Sequence, residues 1–108
     1  MQTYSLKRTD LAWQPFEFPG ISVAALRSEP NGALSCMVRM TAGSIAPLHR
    51  LPGGEEILVL EGVLAIEEER LEAGDYRRCP PGASHASRAL TDTVFFLSLP
   101  AGIEFLRA

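Results

Sequence analysis

Proline and glycine interrupt this chain so often that no apolar stretch between them reaches the length of an ordinary helix, and that punctuation decides the fold class. Turns are marked by Pro19-Gly20, Pro30-Asn31-Gly32, Pro52-Gly53-Gly54, Gly62, Gly74-Asp75, Pro80-Pro81-Gly82 and Pro100 with Gly102. Between them lie short runs rich in Val, Ile, Leu and Phe, residues that fit a pleated, half-buried surface. The expectation is an all-β sandwich or barrel with strands at 21–28, 33–41, 55–61, 63–67, 75–79, 85–88 and 93–99, and no helix is required. The run Glu67-Glu68-Glu69-Arg70 is expected to tip a hairpin, because adjacent carboxylates repel one another and favour water. With 108 residues the chain suits a single domain, residues 1–108, large enough to bury about two thirds of its unfolded surface without staples.

Alternation along a strand sorts the faces. Glu55, Ile57 and Val59 share one side of their strand, and Glu56, Leu58 and Leu60 share the other. Both sides are apolar after the first residue, and the strand at 93–99 is likewise apolar on both. One face lines the barrel interior. The other needs a cover, supplied by the N-terminal arm at 13–18 or by another subunit, and a homodimer is the expected arrangement.

Charge and cysteine usage narrow the function classes. A formal net charge of −3 provides no electropositive face for nucleic acid, and the Arg77-Arg78 pair with Arg88 reads as solvated strand edges. Cys36 and Cys79 are too few and too far apart for a disulfide framework or a zinc finger, so they read as reduced thiols. Cys36 shares a face with Leu34, Val38 and Met40 and reads as core, whereas Cys79 is either a buried filler or a thiol near a pocket mouth. The first residues lack the apolar core of a signal peptide, and no run approaches the roughly 18 apolar residues that cross a bilayer. A soluble, cytoplasmic protein with no membrane partner is expected.

One constellation carries chemistry. His49 and Leu51, two apart, point the same way on an extended backbone, while Arg50 points outward. Glu55 follows the Pro52-Gly53-Gly54 turn, whose glycines permit the tight return that brings a carboxylate beside His49. His85 arrives through Pro80-Pro81-Gly82. Imidazole and carboxylate together suit zinc, iron, nickel or manganese, and two His with one carboxylate and open positions suit non-haem Fe(II). A carboxylate turned into a barrel must be paired, protonated or coordinated. Two readings therefore stand: a metal centre at His49, Glu55 and His85, or a direct hydrogen bond from either histidine to Glu55 with no metal. The pocket walls expected around it are Leu51, Val38, Met40, Ile57, Val59 and Phe96, all equally explicable as core. No catalytic residue is assigned, and nothing in these residues decides whether the protein is an enzyme.

The spacing of these residues resembles the two-part motif of the cupin superfamily. Motif 1, residues 43–62, runs Gly43, five residues, His49, one residue, Leu51, three residues, Glu55, six residues, Gly62. Motif 2, residues 74–85, runs Gly74, five residues, Pro80, one residue, Gly82, two residues, His85. The segments from His49 to Gly62, Ala73 to Tyr76 and Pro80 to His85, with Trp13-Gln14-Pro15-Phe16 and Pro19-Gly20-Ile21, are most similar to the cupin domain of ChrR-type anti-sigma factors. That resemblance implies a double-stranded β-helix, or jelly-roll barrel, with a divalent metal held by His49, Glu55 and His85. It also implies response to oxidants or small dioxygenase activity, acetylacetone dioxygenase being related.

Leu51 stands where the superfamily places a second histidine, and Ala89 where an Asn often closes motif 2. Leu51 reads either as the mark of a decayed site or as an opened coordination position with room for water, oxygen or a chelating substrate. Three ligands bind more weakly than four, so the metal is expected at reduced occupancy or absent. The resemblance further implies that this chain is not a complete anti-sigma factor, since the zinc-binding helical domain of that group is not in the sequence. Three functions follow: a stand-alone ChrR-like cupin holding a metal and a small ligand in stress sensing, an Fe(II) dioxygenase for a small diketone-like substrate, or a metal-free structural or regulatory module.

Overall fold

Of the seven proline- or glycine-marked turns, those at 19–20 and 30–32 join antiparallel partners, and the other five carry the chain from one sheet to the other. The computed structural model of the protein describes residues 2–106. Its strands are β1 (Gln14–Pro15), β2 (Ile21–Ser28), β3 (Leu34–Met40), β4 (Ile45–Arg50), β5 (Glu55–Glu61), β6 (Val63–Ile66), β7 (Glu69–Glu72), β8 (Tyr76–Cys79), β9 (Ser84–Ala89), β10 (Thr93–Leu99) and β11 (Glu104–Phe105). The only helical element among the described residues is a 3-10 turn, Arg8–Asp10. No helix there is long and apolar enough to cross a membrane.

Two antiparallel sheets result, one ordered β1-β2-β3-β10-β5-β8 and the other β11-β4-β9-β6-β7. The chain passes from one sheet to the other between β3 and β4, β4 and β5, β5 and β6, β7 and β8, β8 and β9, β9 and β10, and β10 and β11. Residues close in sequence but on successive strands therefore face one another across the barrel. Strict alternation packs the interior: β9 and β10 bury every second side chain, with Ala89, Phe95, Leu97 and Leu99 inward. Each fully buried aliphatic side chain contributes about 1.5–3 kcal/mol relative to exposure.

The strands expected at 21–28, 55–61 and 93–99 have those bounds, and the other four end within one residue of the expected positions. β6 and β7 form the expected hairpin, with Glu67 in the left-handed region (φ 54) at its tip. Four strands were not foreseen. β4 contains Pro47, which argues against a strand, but the β4–β9 register shifts between Ala46 and His49, so the residue without an N–H lies within a bulge. β7 has Leu71 as its only apolar side chain, and β1 and β11 are two residues each.

Those short terminal strands meet at one end of the barrel. β1 pairs with β2 and β11 with β4, and their aromatic rings gather there: Phe105 is 4.8 Å from Phe18 and 5.7 Å from Phe16 between centroids. The N-terminal arm also reaches the outer face of the larger sheet, where the Arg39 guanidinium stacks 3.9 Å over Trp13 and the Tyr4 hydroxyl donates to Leu26 O. Ala24, which alternation turns outward, is fully buried. Leu58, Leu60 and Tyr76 remain exposed.

Candidate metal centre

His49 and His85 are direct register partners on β4 and β9, so the smaller sheet alone places their rings side by side, 4.8 Å apart and nearly perpendicular. Glu55 comes from the first position of β5 in the opposite sheet. Its placement depends on Leu51, whose carbonyl accepts from the N–H of both Gly54 and Gly82 while its own N–H donates to Ala83 O. One residue thus ties the turn that delivers Glu55 to the turn that delivers His85. Gly54 is required here: it has φ +78, and a Cβ would lie 2.5 Å from Cys79 O.

The three side chains converge. His49, Glu55 and His85 are each at least 96% buried, and one ligand atom from each lies within 4.8 Å of the others. His49 Nδ1 donates to Pro47 O at 2.8 Å, the carbonyl exposed by the β4 bulge, which leaves Nε2 as the lone-pair nitrogen. Burial, reinforced by the nearby His85, holds the His49 pKa below its ordinary value despite opposing contributions from the Pro47 carbonyl and Glu55. A neutral imidazole with a free Nε2 is the form a cation needs.

The metal-free alternative is also visible. His85 Nε2 is 3.0 Å from Glu55 Oε1, a direct hydrogen bond to the carboxylate. Cys79 adds a longer S–H contact to the same oxygen at 3.8 Å and lies 3.7 Å from His85 Nδ1. Among the described residues no buried side-chain nitrogen or oxygen lacks a partner. Glu55 is therefore satisfied by the protein itself, and its donor set still fits a divalent cation: two imidazoles and a carboxylate on one inward face.

This cluster closes one end of a cavity of about 100 Å³. Val38, Met40 and Ile57 line it, and Ser87, two residues beyond His85, contributes a hydroxyl. The remaining wall positions need correction. Leu51 and Val59 are fully buried in the core and do not line the cavity. Phe96 is replaced by its neighbour Phe95: β10 is apolar on both faces, so composition could not choose between them, and the observed register turns Phe96 outward beside Met37 and Leu58. Cys36 lies on the wall, where burial pushes its thiol up to about 11.

Cys79 is buried, as the filler reading expected, and it packs against Glu55 and His85; burial keeps its pKa raised against the opposing pull of Arg77. One residue of the surroundings was misread. Arg77 is not a solvated edge residue. Its side chain is 14% exposed and turns inward to Cys79 Sγ at 2.6 Å and His85 Nδ1 at 3.5 Å. The signal was available: in Tyr76-Arg77-Arg78-Cys79, Arg77 and Cys79 are two apart and so share a face.

The profile of the ChrR cupin-like domain matches residues 1–101. This chain belongs to the ChrR cupin-like family. The protein is also 33% identical over 86 residues to the DNA damage-repair/toleration protein DRT102 of Arabidopsis thaliana, a match covering 74% of this chain and 27% of the plant protein. The cupin thus spans about a quarter of that relative's length. Among solved structures, an acetylacetone dioxygenase from Acinetobacter johnsonii superposes with a TM-score of 0.83 at 18% identity, covering 99% of this chain and 78% of that one. The anti-sigma factor ChrR from Rhodobacter sphaeroides, in complex with SigE, superposes with a TM-score of 0.74 at 24% identity, covering 86% of this chain and 50% of that one. At those identities the likeness establishes the fold, a cupin jelly roll.

Proposed function

We propose that this ChrR-like cupin binds a divalent cation through His49 Nε2, Glu55 and His85, and a small, mostly apolar molecule in the adjoining cavity. The observation that carries this reading is the convergence of three buried ligand atoms within 4.8 Å at one end of an otherwise apolar space. Zinc, iron, nickel and manganese all accept such a donor set. A cation held there would supply a Lewis acid for an oxygen of the ligand. The protein's own part is to orient His49 through Pro47, to offer Ser87 as a polar contact, and to exclude water with Phe16, Phe95 and Phe105. The name of the plant relative, a DNA damage-repair/toleration protein, supports a place in stress response. The fold shared with an acetylacetone dioxygenase supports testing small diketones as ligands, with oxygen uptake by the iron-loaded protein as the mark of turnover.

A second reading is favoured by the His85–Glu55 hydrogen bond: a metal-free cupin that uses the same cavity. Elemental analysis of untagged protein, followed by calorimetric titration with zinc, manganese, nickel and anaerobic ferrous iron, separates the two. The cation reading expects one site per chain that is lost in Glu55→Ala. Absence of binding for all four ions, or equal binding by Glu55→Ala, overturns it.

A further inference from the structure

The two histidines present opposite faces of their hydrogen bonding to the centre. His49 gives its Nδ1 hydrogen to Pro47 O and keeps the Nε2 lone pair. At His85 the arrangement is reversed. Arg77 Nη1 lies 3.5 Å from His85 Nδ1, at the outer edge of hydrogen-bond range, and a guanidinium has only hydrogens to give. Nδ1 must then be the accepting nitrogen, which puts the ring hydrogen on Nε2, where Glu55 Oε1 waits at 3.0 Å. Both ends of the ring require the same neutral tautomer. In that tautomer Nε2 directs a hydrogen, not a lone pair, at the point where a cation would sit.

We propose that Arg77 is a brake on cation binding, a positioning residue that holds His85 in the tautomer unable to coordinate through Nε2. The proposal rests on the cation reading of His49, Glu55 and His85. For His85 to ligate, the hydrogen on Nε2 must be exchanged for one on Nδ1, with the ring neutral before and after. On Nδ1 that hydrogen meets the N–H of Arg77, donor against donor, with Cys79 Sγ at 3.7 Å the one other neighbour, so this tautomer is disfavoured while Arg77 stays in place. The guanidinium also repels a divalent cation by its own charge. What keeps it in place is the β6–β7 hairpin of the opposite sheet. Glu69 Oε1 accepts from Arg77 Nε at 2.8 Å, and Glu67 Oε1 lies 3.8 Å from Nη2. Arg77 thus joins the edge strands of the two sheets and couples an exposed acidic hairpin tip to the buried centre. The carboxylates of that tip hold the brake on; an event that draws Glu69 away would release it.

Long-range nitrogen–proton NMR of histidine-labelled, metal-free protein tests the first step. Wild type is expected to show the Nδ1–H form at His49 and the Nε2–H form at His85. Arg77→Met should leave His49 unchanged and populate the Nδ1–H form at His85, whereas Arg77→Lys, which keeps a donor, should stay closer to wild type. Zinc titration tests the second step: Arg77→Met should bind at least tenfold more tightly, and Glu69→Gln, which retains Arg77 but loosens its anchor, should fall between. Glu69→Gln also carries the test if Arg77→Met does not fold. An Nδ1–H form at His85 in wild type, or zinc affinity unchanged or lowered in folded variants, overturns the brake. Zinc binding absent from wild type and variants alike overturns the cation reading, and the brake falls with it; equal zinc binding overturns the brake alone.

Discussion

Leu51→His bears most directly on the centre, because it would add a donor at the motif position two residues from His49. Leu51 is fully buried, so removing its side chain forfeits about 2 kcal/mol of apolar burial. An imidazole placed there without a partner costs on the order of another 2 kcal/mol. A domain of this size has roughly 5–15 kcal/mol of stability, so the metal-free variant is expected to fold but to unfold at clearly lower denaturant. Zinc reverses that loss in part. At a hundredfold excess over its dissociation constant, a cation specific for the native state restores about 2.7 kcal/mol. The assay is guanidinium denaturation of wild type and variant, each in chelator and at one fixed zinc concentration, with calorimetry for affinity. Zinc is expected to raise the midpoint of the variant more than that of wild type, and the variant should bind at least about tenfold more tightly, ~1.4 kcal/mol. An equal zinc shift in the two proteins would refute the reasoning, since it would mean that position 51 is not aimed at the point where the other three side chains meet. A variant as stable as wild type in chelator would refute the burial argument.

Gly54→Ala should lower stability by more than about 2 kcal/mol, because the position combines φ +78 with a Cβ 2.5 Å from Cys79 O; a melting temperature equal to wild type would count against the turn's role in placing Glu55. The lowered pKa of His49 implies pH dependence of defined sign: below about 6.5 the unfolded chain takes up a proton that the folded chain refuses, so stability should fall as pH drops below 6.5 and level off beneath the folded pKa. Denaturation between pH 7.5 and 5 checks this, and His49→Gln should flatten part of the slope; identical slopes would rule out His49 as the cause. We also propose that a second copy of the chain covers Leu58, Leu60 and Tyr76, which are 37%, 44% and 55% exposed. Sedimentation should give a dimer that Leu58→Glu dissociates, and a monomeric wild type would dispose of the idea.

Much of this architecture was legible because the informative signals are local. Pro52-Gly53-Gly54 and Pro80-Pro81-Gly82 fix where the chain reverses, and the period of two then fixes which side chains share a face. Those two rules bring Glu55 back beside His49, and the resemblance to the cupin motif is what joined His85 to them. The failures came where local signals are symmetric or contradictory. β10 is apolar on both faces, and only its register with β3 and β5 decides that Phe95 rather than Phe96 meets the cavity. β4 was not foreseen; it contains Pro47, a residue that removes a ladder donor, yet the register shift there accompanies a Pro47 carbonyl turned onto His49. Arg77 was missed for a different reason. A charged side chain is expected in water unless paired, and its partner Glu69 lies on β7, a strand too polar to be recognised from sequence.

The hydrogen bonds around Glu55 determine what kind of centre this fold can support. A structural zinc site folds the protein outright, because its ligands have no other partners and the unfolded apo state is the alternative. Here the carboxylate already accepts from His85, with Cys79 at longer range, and His49 is already anchored on Pro47. Loss of a cation leaves none of these groups stranded. Binding therefore has to displace hydrogen bonds that are already made, which lowers affinity, while release costs the fold little. On the cation reading, a centre built this way would respond to how much cation is present instead of holding one permanently. Leu51, the substitution that first suggested decay, belongs to the same arrangement: its backbone still clamps both turns that carry the ligands, and its buried side chain replaces a fourth donor with packing. The scaffold of the site is intact, and on the cation reading Leu51 bears on how firmly an occupant would be held.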